Sequence, residues 1–344
     1  MKKGAAFLTL AAITLFFITN EVFSQRGGRA QEVIEVRLAS TLPRNSDWGR
    51  LLDRISGEWS RATDNQVRLR VIHDGLEGGE GKMLSSLNSD NIQAAVFTSA
   101  VLSEICPPVM TLSVPFQIKD NGELDAVLKD VLPSLNERIN RDNKFVVIAW
   151  SKGGWVYVFS KEYVVSPDDL RRQKFGTSPD LKDLNTVFRT MGFNLVEVDY
   201  VDTGTKLANN VINSFYLIPE AMAPLGLHRS LSNMMDMPIA PIMGAIVMNR
   251  VTWNKLSADR QRDLLRVTQK LVSDFEVTTA RTSQNAVAAM RRDGLKLNRP
   301  STVQQDMWRT EVEKAIPLLI GNLIDRNVYT QMNQILDNYR NRRN

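Results

Sequence analysis

Three side chains bound the chemistry open to this chain: Cys106, His73 and His228 are its only cysteine and histidines. One cysteine forms no internal disulfide. Zinc sites built from four cysteines, or from two cysteines and two histidines, cannot be assembled. Cys106 precedes Pro107-Pro108 with no histidine nearby and reads as a small buried hydrophobe rather than a nucleophile. His73 can be drawn into a metal cluster with Asp74, Glu77 and Glu80. Those residues straddle a glycine turn and lack a histidine pair at i, i+4, so a structural role is the better reading. His228 follows Gly226 and reads as a surface or packing residue. GLEGGEGK (75–82) invites a phosphate-loop reading but fails on spacing. Leu76 stands where the first glycine must be, and Met83 follows Lys82 where magnesium needs a hydroxyl. It reads as a glycine-rich turn leading into a helix. No G-x-S-x-G elbow is present. No catalytic set, cofactor or metal is expected, and an exported enzyme is the weakest functional reading.

The elements that position these residues alternate. IEVRLA (34–39) and VRLRVIH (67–73) read as strands, and IQAAVF (92–97) as a buried parallel strand. Between them Trp48, Leu51, Leu52, Ile55 and Trp59 recur at helical spacing behind cap candidates Asn45, Ser46 and Asp47. A second amphipathic helix covers 122–139. FVVIAW (145–150) and WVYVF (155–159) read as two strands around Gly153-Gly154. Ser166-Pro167-Asp168-Asp169 starts a helix, with proline at the first position and acids facing the dipole. KFGT (174–177), NLVEV (194–198) and FYLI (215–218) are further strands, with a helical face over Leu181–Met191 and an apolar stretch at 242–248. Ser257 opens a long helix ending near Arg291, Arg292 and Gly294, and Ser301 with Gln304 forms a capping box. This alternation predicts α/β architecture.

The 344 residues suffice for about two domains with a large core. With 43% apolar and 24% charged residues, the chain is not a polytopic membrane protein, a collagen or a mostly disordered protein. The net charge of +5 is mild, the basic residues are dispersed among acids, and no aromatic-and-basic stripe occurs, so nucleic acid is not an expected partner. Residues 1–24 (MKKGAAFLTLAAITLFFITNEVFS) carry a lysine n-region, an apolar run shorter than the ~20 residues that span a bilayer, and Val22 and Ser24 at a plausible cut. Export to the periplasm follows, and with no cysteine near the cut a lipoprotein anchor does not. Residues 25–32 read as a flexible leader and 331–344 as a frayed basic tail.

The order of these features resembles the extracytoplasmic solute-binding subunits of TRAP transporters over about residues 33–320. The resemblance is carried by IEVRLAS (34–40), VRLRVIHDGLEGGEGKML (67–84), LSVPF (112–116), SPDDLRRQKFGTSP (166–179) and IVMNRVTWNKLSADRQRDLL (246–265). It implies a two-domain periplasmic-binding-protein fold, with a long helix across both domains and ligand held in the cleft by hinge closure. Domain I is expected at 33–153 plus about 238–256, and domain II at 154–237 plus about 257–330. It also implies delivery to TRAP membrane permease subunits and no covalent chemistry.

Departures from the family pattern fall in the cleft. Members that bind organic acids carry an arginine in a segment like "lys-ile-arg", which pairs with the ligand carboxylate. That segment is Lys174-Phe175-Gly176 here. A second family arginine falls near Val156, and a ligand-facing asparagine falls at Leu217. A charged ligand would lack its partner at a cost of several kcal/mol, whereas an apolar cleft gains ~25 cal/mol per Å² buried. The expected ligand is therefore small and hydrophobic, contacted by Trp48, Phe116, Trp150, Trp155, Phe175, Gly176, Tyr216 and Leu217. Arg171 or Arg172 could replace the missing cation, which would restore an organic acid as ligand. A TPR-repeat protein is a candidate relay partner for a poorly soluble ligand. A scaffold or chaperone-like role on the same fold is the competing reading.

Overall fold

The computed structural model describes residues 33–142, 144–179, 182–199, 202–321 and 323–343. The expected signal peptide and leader, residues 1–32, lie outside the described residues. The first three strands, β1 (Ile34–Ala39), β2 (Val67–Ile72) and β3 (Ala94–Thr98), are parallel, with β1 in the middle. Helix α1 (Asp47–Ala62) makes the first crossover. Ser46 caps it by accepting the Gly49 amide, and the expected stripe of Leu51, Leu52, Ile55 and Trp59 is buried. Helices α2 (Glu80–Asn88) and α3 (Ser99–Ile105), a 3-10 turn at Pro107–Ser113, and α4 (Asn121–Arg141) follow.

The two strands expected around Gly153-Gly154 are one. β4 (Phe145–Ser160) runs unbroken for 16 residues. The glycines are absorbed as a bulge between Lys152 and Gly154 rather than a turn, because antiparallel pairing continues on both sides. Next come α5 (Pro167–Arg171), β5 (Phe175–Thr177), α6 (Lys182–Thr190), β6 (Leu195–Glu197), α7 (Thr203–Ala208), β7 (Ser214–Leu217), α8 (Pro219–Met222), β8 (Asn233–Met235) and β9 (Ala240–Asn249). The capping box of α5 forms as its Ser166–Asp169 spacing requires. The chain closes with α9 (Arg250–Trp253), α10 (Ala258–Arg292), β10 (Lys296–Asn298), α11 (Thr302–Leu319) and α12 (Arg326–Asn341).

The strand order is β2-β1-β3-β9-β4-β7-β5-β6, with β8 beside β4 and β10 beside β8. β4 and β9 form the antiparallel centre. Parallel groups flank them, one in each of two lobes. β4 pairs with β9 from Phe145 to Val156 and then with β7 from Tyr157 to Ser160, so one strand serves both lobes. The 35-residue α10 extends about 50 Å. Near its start Thr268 accepts the Trp59 indole N–H at 2.8 Å, and near its end Met290 joins the apolar cluster of Phe159 and Phe215 in the second lobe.

Residues 331–344, expected as a frayed tail, are a correction. Most of them belong to α12, which packs Val328, Met332 and Leu336 into the first-lobe core beside α4. Arg340 explains why the basic residues do not fray. Its guanidinium donates to both carboxylate oxygens of the buried Glu123, at 2.7 and 2.9 Å, and to the carbonyl of Gln117 at 2.7 Å. Glu123 also accepts the Lys119 amide at 2.8 Å. Removing one partner of such a pair strands the other in low dielectric. Arg340→Met is therefore expected to lower unfolding free energy by ~3 kcal/mol or more, read by urea denaturation. Unchanged stability would show that the pair does not hold α12.

Candidate ligand cleft

The lobes meet where β4 and β9 cross between them. Gly154 has φ of 114°, open to glycine and strained for other residues. Beside it the Lys152 amide donates to Glu276 of α10 at 2.6 Å. The Lys152 ammonium sits 2.8 Å from Asp125 of α4 and 3.4 Å from Glu276. The crossing is thus tied on both faces of the sheet. A second tie comes from the first lobe. Phe116, at φ 59°, donates its amide to the Ile239 carbonyl at 2.7 Å, and its ring lies 5.2 Å from that of Trp308.

Apolar side chains fill the ground between the lobes. Val114 and Phe116 join Val156, Tyr216, Ile218 and Ile242 in one cluster. Two small voids of about 20 Å³ lie among the described residues. One lies between Met110, Val114 and Pro115 of the first lobe and Leu184, Val187 and Val312 of the second. The other lies beneath Trp48, against Val96, Ala149 and Val272. Each has room for at most one water.

The eight expected ligand contacts do not share one pocket. Phe175 and Tyr216 come together in the second-lobe core, with ring centroids 5.5 Å apart, alongside Phe188 and Phe193. Burial pushes the Tyr216 phenol far above its ordinary pKa, and Thr177 offers it a hydroxyl at 3.3 Å. Trp150 and Trp155 both turn toward α4, donating indole N–H groups to Asn136 and Asn121 at 2.8 Å. Trp48 stands apart, edge-on to Phe275 of α10. Leu217 faces the other side of the sheet from Tyr216, toward Leu227 and Met222. Both histidines are buried, His73 bonded to Asp53 at 2.8 Å and His228 facing Asp293 at 3.3 Å. Burial pushes the Cys106 thiol up to about 11, unsuited to nucleophilic work. Among the described residues, no group of three or more histidine, cysteine or acidic side chains is placed to hold a metal. No described helix is long and apolar enough to cross a membrane.

The sequence model of the bacterial extracellular solute-binding proteins, family 7, matches residues 38–319. The chain belongs to this family. No protein with a curated description matches it by sequence. Its structural relatives are TRAP periplasmic solute-binding proteins. The sugar acid binding protein of Advenella mimigardefordensis, solved with galactonate, superposes at TM-score 0.80 with 13% identity, covering 90% of this chain and 99% of its own. A TRAP protein of Ralstonia eutropha, solved with (S)-2-acetolactate, gives 0.80 at 16% identity, covering 88% and 99%. One from Pseudomonas putida, solved with D-glucuronate, gives 0.75 at 17%, covering 88% and 96%. Family 7 proteins bind solutes and are not enzymes, and the shared architecture is the two-domain binding-protein fold.

Gly176, where the sequence reading expects the family arginine, is closely packed. A Cβ built there would lie 2.7 Å from Ile212 Cδ1 and 2.9 Å from Phe215 Cδ2, so neighbouring side chains occupy the space. Arg171 and Arg172, the alternative cations, are both paired. Arg171 bonds Asp168, Glu311 and the Met191 carbonyl, and Arg172 bonds Asp169, because each completes its own helix end.

One group escaped the sequence reading. Glu220, three residues past Leu217, is half-buried, and its Oε2 is shut off from solvent with no hydrogen-bond partner. Its Oε1 would lie 3.8 Å from a Cβ on Gly154. Burial raises its pKa above the ordinary carboxylate value, opposed only by its own backbone N–H and the Ser283 hydroxyl of α10. Nearby Tyr157 is pushed up to about 12 by burial and by the charges of Asp236 and Glu220. In sequence, Ile-Pro-Glu-Ala-Met offered only an acid in a short helix start, with nothing to mark it as interior.

Two outcomes follow. Gly176→Arg should destabilise the fold by about 1–3 kcal/mol through overpacking and should not create binding of D-glucuronate; a stable variant that binds the acid would refute the refilled position. A folded-state carboxyl with a raised pKa binds a proton that the unfolded chain has lost, so stability falls as pH rises from the unfolded to the folded pKa. Glu220→Gln should therefore raise Tm at pH 8 and leave it nearly unchanged at pH 4, read by calorimetry.

Proposed function

We propose that this chain is the extracytoplasmic solute-binding subunit of a TRAP-type secondary transporter. It is exported by its N-terminal signal, closes its lobes about the β4–β9 crossing on a small ligand, and passes that ligand to membrane permease subunits. Family membership over residues 38–319 supports the transport role. The three solved relatives named above were captured with acids. This chain's ligand is proposed to differ: a molecule with an apolar body and no dependence on a carboxylate clamp.

The observation that supports this is the packing of Ile212 and Phe215 around Gly176, the position at which the resemblance expects an arginine. Val156, near which the second arginine is expected, is buried among apolar neighbours, and Leu217, where the asparagine is expected, packs in an apolar cluster. A carboxylate enclosed there without a cation would cost several kcal/mol, whereas an apolar surface is favoured by ~25 cal/mol per Å². A TPR-repeat relay would suit such a poorly soluble cargo.

Protein purified from the compartment to which it is exported, extracted with organic solvent and examined by mass spectrometry, should yield a stoichiometric apolar or amphipathic compound. D-glucuronate and galactonate should leave Tm unchanged. Recovery of a sugar acid or dicarboxylate alone would sink the ligand reading. A protein that carries nothing and binds nothing would favour the scaffold role.

A further inference from the structure

Glu220 is a charge-bearing group with no counter-charge. Its Oε2 is enclosed and makes no hydrogen bond. The groups around it come from three elements: Gly154 and Tyr157 on β4, Ile218 at the end of β7, and Ser283 on α10. None is a cation. Lys152 is held by Asp125 and Glu276, Arg299 by Asp236, and Lys174 by the Asn210 carbonyl. The Ser283 hydroxyl and the residue's own backbone N–H bond the carboxyl, yet the enclosed Oε2 has no partner, a cost normally tolerated only where something else repays it.

Its position narrows what that is. Glu220 lies against Gly154 in the hinge stretch of β4, two residues before Val156, and follows Leu217 by three residues. Val156, Gly176 and Leu217 are the three positions at which the resemblance to acid-binding relatives expects polar contacts. Here they present no positive charge that would repel a cation, and Glu220, which lies near Gly154, is acidic.

We propose that Glu220 is the polar determinant of this cleft and that its ligand is an amphipathic organic cation. Its amine or ammonium group is directed at the Glu220 carboxylate, and its apolar body lies against Val156, Ile218 and Ile242. This rests on the solute-binding function proposed above and reverses the polarity of the recognition pair: the protein supplies the anion and the ligand the cation. Hydrogen bonds between an ammonium and a carboxylate are strong in such a site because both partners are charged.

The probes are tyramine, phenethylamine, putrescine and choline, with D-glucuronate and galactonate as acids, each titrated calorimetrically into the full mature protein. At least one amine should bind, and Glu220→Gln should weaken it by about thirtyfold or more while keeping the wild-type circular dichroism spectrum. Glu220→Asp, which retains the charge, should bind more tightly than Glu220→Gln; the opposite order overturns the assignment of the carboxylate. Amine binding that survives Glu220→Gln unweakened overturns the role of Glu220 but leaves the apolar-ligand function standing. Binding of neither class overturns the cation proposal. Binding of the acids alone overturns both.

Discussion

The antiparallel pairing of β4 with β9 is the constraint on which the rest depends. Ten register partners, from Phe145–Asn249 to Val156–Ala240, carry the sheet through the boundary between lobes. Because the pairing persists across the bulge at Gly153-Gly154, the lobes share hydrogen bonds instead of a tether. The flanking parallel strands need crossover helices, and these clothe both faces of each lobe. The interlobe space then lies at strand ends, where α/β proteins commonly hold ligands. The position of Glu220 beside Gly154 follows from where β4 passes.

Much of this was written in side-chain periodicity. The α1 stripe, the capping boxes at Ser166 and Ser301 and the long helix after Ser257 form as their spacing requires. Gly153-Gly154 misled because adjacent glycines usually mark a turn, and only long-range pairing with β9 turns them into a bulge. The basic tail misled for a related reason. Arg340 looks solvated until Glu123, 217 residues away, is brought to it. Local patterns report local structure, and both errors concern partners distant in sequence.

The sequence reading places Gly176 where the resemblance expects a cation. That Ile212 and Phe215 crowd that position could be seen only with their packing in hand. The aromatic residues illustrate the opposite limit. Trp150 and Trp155, expected at strand ends, lie within the unbroken β4, and their indoles turn to asparagines of α4. An aromatic at a strand end can serve the core as readily as a ligand, and sequence does not distinguish the two. Glu220 was overlooked because a lone acid carries no sequence signal of its burial.

The placement of α12 also sets an order on folding. The first lobe begins at Ile34, but its sheet lacks β9 until residue 249 has emerged, and its core lacks Met332 and Leu336 until nearly the last residue is free. Such contacts carry a large loop-closure cost before they reward it. The earliest strands of this lobe therefore wait, unfinished, for a helix some three hundred residues later, and the native clasp closes only when that helix arrives.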